Sequence, residues 1–359
     1  MEDNYKQYLG EYNYSGKITN LRVYPGYERI VLAWDNPKDQ KSKSILILYG
    51  PDSTKVTYET LVDSVSIEGL DAGTGYEFII YTQDANKNLS VPTAITAFPV
   101  SKDFVESLTP PSVLVQVIGA DQYISVVGLT NVLMRFSGNI EYTVTGPGGL
   151  TKSGKVYLPE LAGKSQVDIP VAALGTPILP PGEYKFDFKV SVWPVMSNMV
   201  TIDEVWLTNS QSALVQPVVI NLMNIPGRVS DVFNTGGGEG IAKLVDGNST
   251  TKYLCANPQT WMMWQMDRPF IANKYTLISA NDAPERDPKN WMLEGSNNGT
   301  DWTLLDVQMG IVFTERFQKK TFLLANREAY SYYKLSAENG GNRLFQLAEW
   351  TLYYDSELQ

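Results

Sequence analysis

The chain has 359 residues, enough for two or three domains, and carries 29 Lys and Arg against 39 Asp and Glu, a net charge of −10 that disfavours a phosphate backbone as partner. No histidine is present, which removes every Ser-His or Cys-His nucleophile and the commonest transition-metal ligand, and the single Cys255 rules out an intrachain disulfide. No apolar run approaches the ~18 residues of a membrane-spanning helix, so the segment is expected to behave as a soluble chain.

Turn residues recur along the whole sequence, and alternating apolar and polar positions outnumber any 3.6-residue pattern, so the fold class expected is all-β. Residues 1–16 are polar and Tyr-rich and read as an N-terminal tether. In residues 17–100, Ile30, Leu32 and Trp34 alternate toward one face, as do Ile45, Ile47 and Tyr49 on a later strand. With Trp34 in its core position and Leu70 followed by the GTGY turn ending in Tyr76, this stretch resembles a fibronectin type III-like domain. The same residues, with their NYKQYL opening, are similar to the first domain of Bacteroides-type surface lipoproteins. That resemblance implies a place at the cell surface or outer membrane, through an N-terminal lipid anchor on a Cys outside this sequence.

The segment FPVSKDFVESLTPPS, with its Pro110-Pro111 pair, reads as a linker. Beyond it, YISVVGL, IEYTVTGPGG, KSGKVYLPE, SQVDIPV and GEYKFDFKVSVWP predict a second, Ig-like β-sandwich within residues 101–222, its last strand ending near Thr208. The GPGG run at Gly146–Gly149 lacks the following Lys and helix of a phosphate loop and is expected to be a hairpin turn.

Residues 223–359 bring a change of pattern. Met262, Trp264 and Met266 share one strand face and Trp261, Met263 and Gln265 the other, with Trp264 assigned to the core. Farther on, NDAPERDPKNWMLEGSNNGTDW combines five carboxylates, one Arg and two Trp. Its tail, from Trp291 through Asn297, Asn298 and Gly299 to Trp302, predicts a hairpin. Its head, bounded by Pro284 and Pro288, reads as a surface loop in which Arg286 pairs with a nearby carboxylate. The acids there, Asp282, Glu285 and Asp287, are expected to be solvated, to keep low pKa values and to form no glycosidase pair.

Three stretches, IAKLVDGNSTTKYL with TWMMWQMDRPF, the acidic run above, and YYKLSAENGGNRLFQLAEWTLYY, together resemble the discoidin or coagulation factor 5/8 type C family, whose fold is a galactose-binding-like β jelly roll. The predicted architecture is therefore two β-sandwich domains followed by that jelly roll. The family implies a structural Ca²⁺ held by Asp246, Thr251 and Glu349, and the competing reading is a turn closed by its own Asx and Ser/Thr hydrogen bonds with no metal. It also implies a non-catalytic, carbohydrate-binding function, with glycans as partners. The candidate contacts are Asn281 and Arg286 on one loop, Asn339, Asn342, Arg343 and Phe345 on another, and Trp261. The alternative is an adhesion or surface-assembly role with protein partners.

Overall fold

The computed structural model describes residues 15–70 and 74–358. Most of the expected tether (residues 1–14) and residues 71–73, the last of which opens the expected GTGY turn, lie outside the described residues. The chain is all-β, with three hydrophobic cores, each between facing sheets.

The first core forms because alternation gives each strand one apolar face. Ile30, Leu32 and Trp34 of the Arg29–Asp35 strand point inward, and Ile45, Ile47, Phe78 and Ile80 meet them from the opposing sheet. One sheet holds Thr19–Gly26, Arg29–Asp35 and Ser64–Glu68, and the other holds Thr54–Tyr58, Ser44–Tyr49, Tyr76–Gln83 and Thr93–Ala97. Tyr76 is half-buried, its ring 6.3 Å from that of Phe78.

The segment expected to be a linker is instead packed. Ser101 caps a helix at Lys102–Ser107, its hydroxyl accepting a hydrogen bond from the Phe104 amide at 2.8 Å, and Asp103 suits the first turn. Leu108 then enters the second core. The middle sheets are Gln166–Pro170, Asp121–Val127 and Ser112–Ile118 against a larger sheet built on Met134–Thr145 and Gly182–Met196. The last strand, Val205–Val215, runs past the expected end at Thr208 because it pairs along its whole length with Gly182–Val192. Gly148 and Gly149 take positive φ, 67° and 78°, in the turn that joins two strands at Gly146–Gly149.

Contacts join the three units. Arg29 makes a paired contact with Asp203, Nη2 to Oδ1 at 2.5 Å and Nε to Oδ2 at 2.9 Å, between the first unit and the middle one. Arg268 reaches Asp121 at 2.8 Å, and Ala120 and Ile178 of the middle unit pack into the C-terminal core.

The C-terminal core lies between a four-stranded sheet (Val219–Asn221, Glu349–Asp355, Lys274–Ile278, Lys319–Leu323) and a five-stranded one (Gly227–Asp231, Gln259–Phe270, Tyr330–Glu338, Asn290–Ser296, Thr303–Gln308). Met262, Trp264 and Met266 face inward as their spacing predicts, beside Trp291, Leu293, Tyr333 and Trp350. The buried Trp291 indole donates to the Tyr275 hydroxyl at 2.7 Å, which donates in turn to Asp306 at 2.6 Å, so two buried polar groups are satisfied in one chain of bonds. The Asn297–Gly299 hairpin forms as read: the Asn298 side-chain oxygen accepts from the Thr300 and Asp301 amides, and Gly299 takes φ 73°.

Candidate functional site

The outward face of the five-stranded sheet follows from the register of its three central strands. Gln259, Glu338 and Asn290 sit side by side in one cross-strand row, Trp261, Ser336 and Met292 in the next, and Met263, Lys334 and Glu294 in the third. In the second row a small residue stands between two large ones, so the sheet is hollow at Ser336 and walled by Trp261 and Met292.

Val232 and Phe233, from the turn after Gly227–Asp231, extend the wall on the Trp261 side. Val307 and Met309 extend it beyond Met292. The resulting groove has a volume of about 620 Å³, within the range of small-molecule sites. Its lower end is marked by Lys334, which pairs with Glu294 at 2.8 Å and lies 4.0 Å from the Trp302 ring centre.

The upper end is polar and fixed. Glu338 accepts from Asn290 Nδ2 at 2.7 Å and from Gln259 Nε2 at 2.8 Å. These bonds, Asn290's first, hold its carboxyl below the usual range, so it stays ionised. Asn257 completes the rim, its side-chain oxygen accepting from the Gln259 amide at 3.1 Å.

Two loops border this end. One, residues 339–344, is closed by Asn339: its oxygen accepts from the Gly341 and Asn342 amides, and its nitrogen donates to the Leu344 carbonyl. Asn339 is buried and its amide is spent on the loop, whereas Asn342 is half-buried and Arg343 exposed. Phe345 is not a rim residue. It lies fully buried against Tyr253, because Phe345–Leu347 pairs as a strand with Tyr253–Cys255 and turns that ring into the core.

The other loop is residues 281–289. Asn281 is exposed and Arg286 half-buried. The expected ion pair of the loop is made by a different arginine: Arg316 donates to Asp287 at 2.6 Å and to the Asp282 carbonyl at 2.9 Å, while Arg286 Nε is buried with no hydrogen-bond partner. Asp287 also corrects the expectation of a solvated acid. It is buried next to Pro288, and that burial pushes its carboxyl up although Arg316 and Gln346 oppose the shift. Asp282, by contrast, is exposed and lowered by Lys252, whose amino group lies 2.7 Å away.

Of the sequence-derived contacts, then, Trp261 lines the groove, Asn281, Arg286, Asn342 and Arg343 lie on its bordering loops, and Asn339 and Phe345 are structural. Glu338, Gln259, Asn290 and Met292 were not singled out from sequence. Alternation puts each on an outward face, but only the pairing of three strands distant in sequence brings them together.

In the same unit, the Asp246 carboxylate accepts from the Thr251 hydroxyl at 3.0 and 2.9 Å, and Glu349 accepts from the Asn248 amide at 2.8 Å. Gly247, at φ +74°, lets the chain turn between them. Burial, and next its contact with Asp246, push the Glu349 carboxyl up to about 8. Two carboxylates, a hydroxyl and turn carbonyls make an all-oxygen donor set, which fits a hard cation such as Ca²⁺.

A family model described as a domain of unknown function, DUF4998, matches residues 1–147. The peptide-N(4)-(N-acetyl-beta-glucosaminyl)asparagine amidase of Arabidopsis thaliana is 46% identical over 86 residues, which are 22% of this chain and 12% of that protein. The chain thus spans only a small part of the length of that relative. Among solved structures, the F5/8 type C domain of a Bacteroides fragilis protein is 13% identical, with a TM-score of 0.33, over 38% of this chain and 95% of that one. A family 32 carbohydrate-binding module from Clostridium perfringens, in complex with galactose, is 15% identical, with a TM-score of 0.33, over 38% and 100%. The family 32 carbohydrate-binding module of Streptococcus pneumoniae EndoD is 17% identical, with a TM-score of 0.32, over 37% and 97%.

Proposed function

We propose that this chain is a non-catalytic glycan-binding protein of the cell surface, with the sugar held in the groove on the outward face of its C-terminal unit. The observation that carries the reading is the half-exposed Trp261 beside a fixed polar row, Gln259, Glu338 and Asn290. An indole face packs on the apolar side of a pyranose, and the row supplies hydrogen-bonding groups at one end of it.

The non-catalytic part of the reading is supported by the acids present. Glu338 is the one carboxylate among the lining residues, and its lowered pKa suits an acceptor rather than a general acid. Glycoside hydrolysis ordinarily needs a pair of carboxyls across the bond, one with a raised pKa. The cell-surface place and the N-terminal lipid anchor rest on the resemblance of the first hundred residues, and a structural Ca²⁺ at Asp246, Thr251 and Glu349 belongs to the same reading.

A glycan array probed with the whole chain is expected to give signal. Trp261→Ala is expected to weaken binding of the best glycan by about 2 kcal/mol, roughly thirtyfold, in isothermal titration. An array without signal would sink the reading, and unchanged affinity in the variant would move the site off this groove.

A second reading, recognition of a protein partner, is favoured by one observation. Phe233, Met292, Val307 and Met309 form an exposed apolar rim along the groove. Capture of a defined surface protein with a silent array, lost on Met292→Asp, would favour it.

A further inference from the structure

We infer that the groove takes glycans that carry no anionic group, and that Glu338 is the residue that sets this selectivity; the inference rests on the glycan-binding reading above. Asn290 Nδ2 and Gln259 Nε2, the amide donors beside Glu338 in its row, are turned onto that carboxylate. The Asn290 side-chain oxygen is committed as well, accepting from the Gly310 amide at 2.7 Å. Each of these amides keeps a second N–H and the Asn257 side-chain nitrogen on the rim is a further donor, so what sets this end of the groove apart is the fixed negative charge of Glu338, with its remaining lone pairs and the Gln259 amide oxygen as acceptors.

Acceptors recognise hydroxyl and ammonium groups. A uronate, sialate or sulfate group brings more acceptors and a like charge, and it would meet Glu338 with no Lys or Arg in the groove lining to offset it. Lys334, a cation farther along the same face, is already held by Glu294 and Trp302. Lys289, which acts on Glu338 through space, lies with its side chain alongside Gly340 on the bordering loop. The net charge of −10 adds to the repulsion.

The wall geometry fits the same class of ligand. Neutral hexoses and amino sugars present apolar ring faces to Trp261 and hydroxyl or ammonium donors to Glu338 at once, so both sets of groove contacts are used.

The test is affinity electrophoresis of the whole chain in gels containing a neutral hexose polymer, a partly deacetylated amino-sugar polymer or a uronate polymer. Retardation is expected in the first two. Binding to the uronate polymer is expected to be weaker by roughly tenfold or more, a factor between those that like charges about 4 Å apart give in bulk water and near a protein surface. Raising the salt concentration should narrow that ratio. Glu338→Gln, which removes the charge and keeps the shape, should move the uronate-to-neutral ratio toward one and lower the preference for the amino sugar.

Equal retardation of the wild-type chain by uronate and neutral polymers overturns the inference and leaves the glycan reading standing. A ratio that Glu338→Gln does not move, in a variant shown folded by circular dichroism, overturns it too. If Glu338→Gln does not fold, the salt dependence of the wild-type ratio decides: a ratio insensitive to salt is not set by charge. Failure of all three polymers to retard the wild-type chain, or retardation that survives Trp261→Ala, removes the glycan site from this groove and the inference with it.

Discussion

Replacing Asp287 with alanine is expected to lower the unfolding free energy of the C-terminal unit by about 3 kcal/mol, the lower end of the range for breaking a buried ion pair. The side chain of Asp287 is 3% exposed and that of Arg316 is 24% exposed, which keeps the cost from the top of that range. The substitution would leave the Arg316 guanidinium without its counter-charge. Gln346, which donates to Asp287 at 3.1 Å and to the Asp282 and Ala283 carbonyls, would also lose a partner. Those bonds hold the 281–289 loop against the neighbouring Phe345–Leu347 strand, so the loss should spread to the loop bordering the groove. Urea unfolding followed by Trp fluorescence measures the change, and Arg286→Ala is the control. Arg286 forms no ion pair among the described residues, so its removal should cost under about 1 kcal/mol. A drop of less than about 1 kcal/mol for Asp287→Ala would mean that Arg316 finds water or another carboxylate, and that the pair does not organise the loop.

The Asp287 case shows where sequence stops being sufficient. Two prolines within five residues, with acids between them, read as a solvated loop. The acid is buried instead because Arg316, twenty-nine positions later in the chain, folds back over it. Local pattern carries no information about that return. Where the determinant is local the reading holds: alternation put Met262, Trp264 and Met266 inward and left Trp261 on the other face, and Asn298 with Gly299 specified their own turn. Phe345 shows the opposite failure. It stands two residues after Arg343 in a segment rich in Gly and Asn, and a three-residue strand is too short for its alternation to register before the Tyr253–Cys255 strand is known to pair with it. The groove needed still more. Gln259, Glu338 and Asn290 become neighbours through two antiparallel pairings at once, and a slip of one residue in either would turn Glu338 or its partners into the core.

Calcium is expected to raise the thermal midpoint of the C-terminal unit, and chelation to reverse the rise. At a hundred times its dissociation constant one ion adds about 2.7 kcal/mol to the folded state, which for a unit of this size corresponds to roughly ten degrees. The donors are set by two separate parts of the chain. Asp246, the Asn248 carbonyl and Thr251 come from one turn, and Glu349 comes from the start of the Glu349–Asp355 strand, a hundred residues later. An ion bridging them would tie the turn to the four-stranded sheet. Glu349 is buried, and without a cation only the Asn248 and Gly247 amides favour its charged form against desolvation and the neighbouring Asp246. Glu349→Gln keeps the amide contact and removes the charge. That variant should show a midpoint that no longer responds to calcium, while its value in chelator stays at or above that of the unsubstituted chain. Scanning calorimetry with and without chelator makes the comparison, and calcium titration calorimetry gives the affinity independently of unfolding. A midpoint that ignores calcium in the unsubstituted chain would leave the other reading, in which Thr251 and the Asn248 amide close the turn through their own hydrogen bonds and no ion takes part.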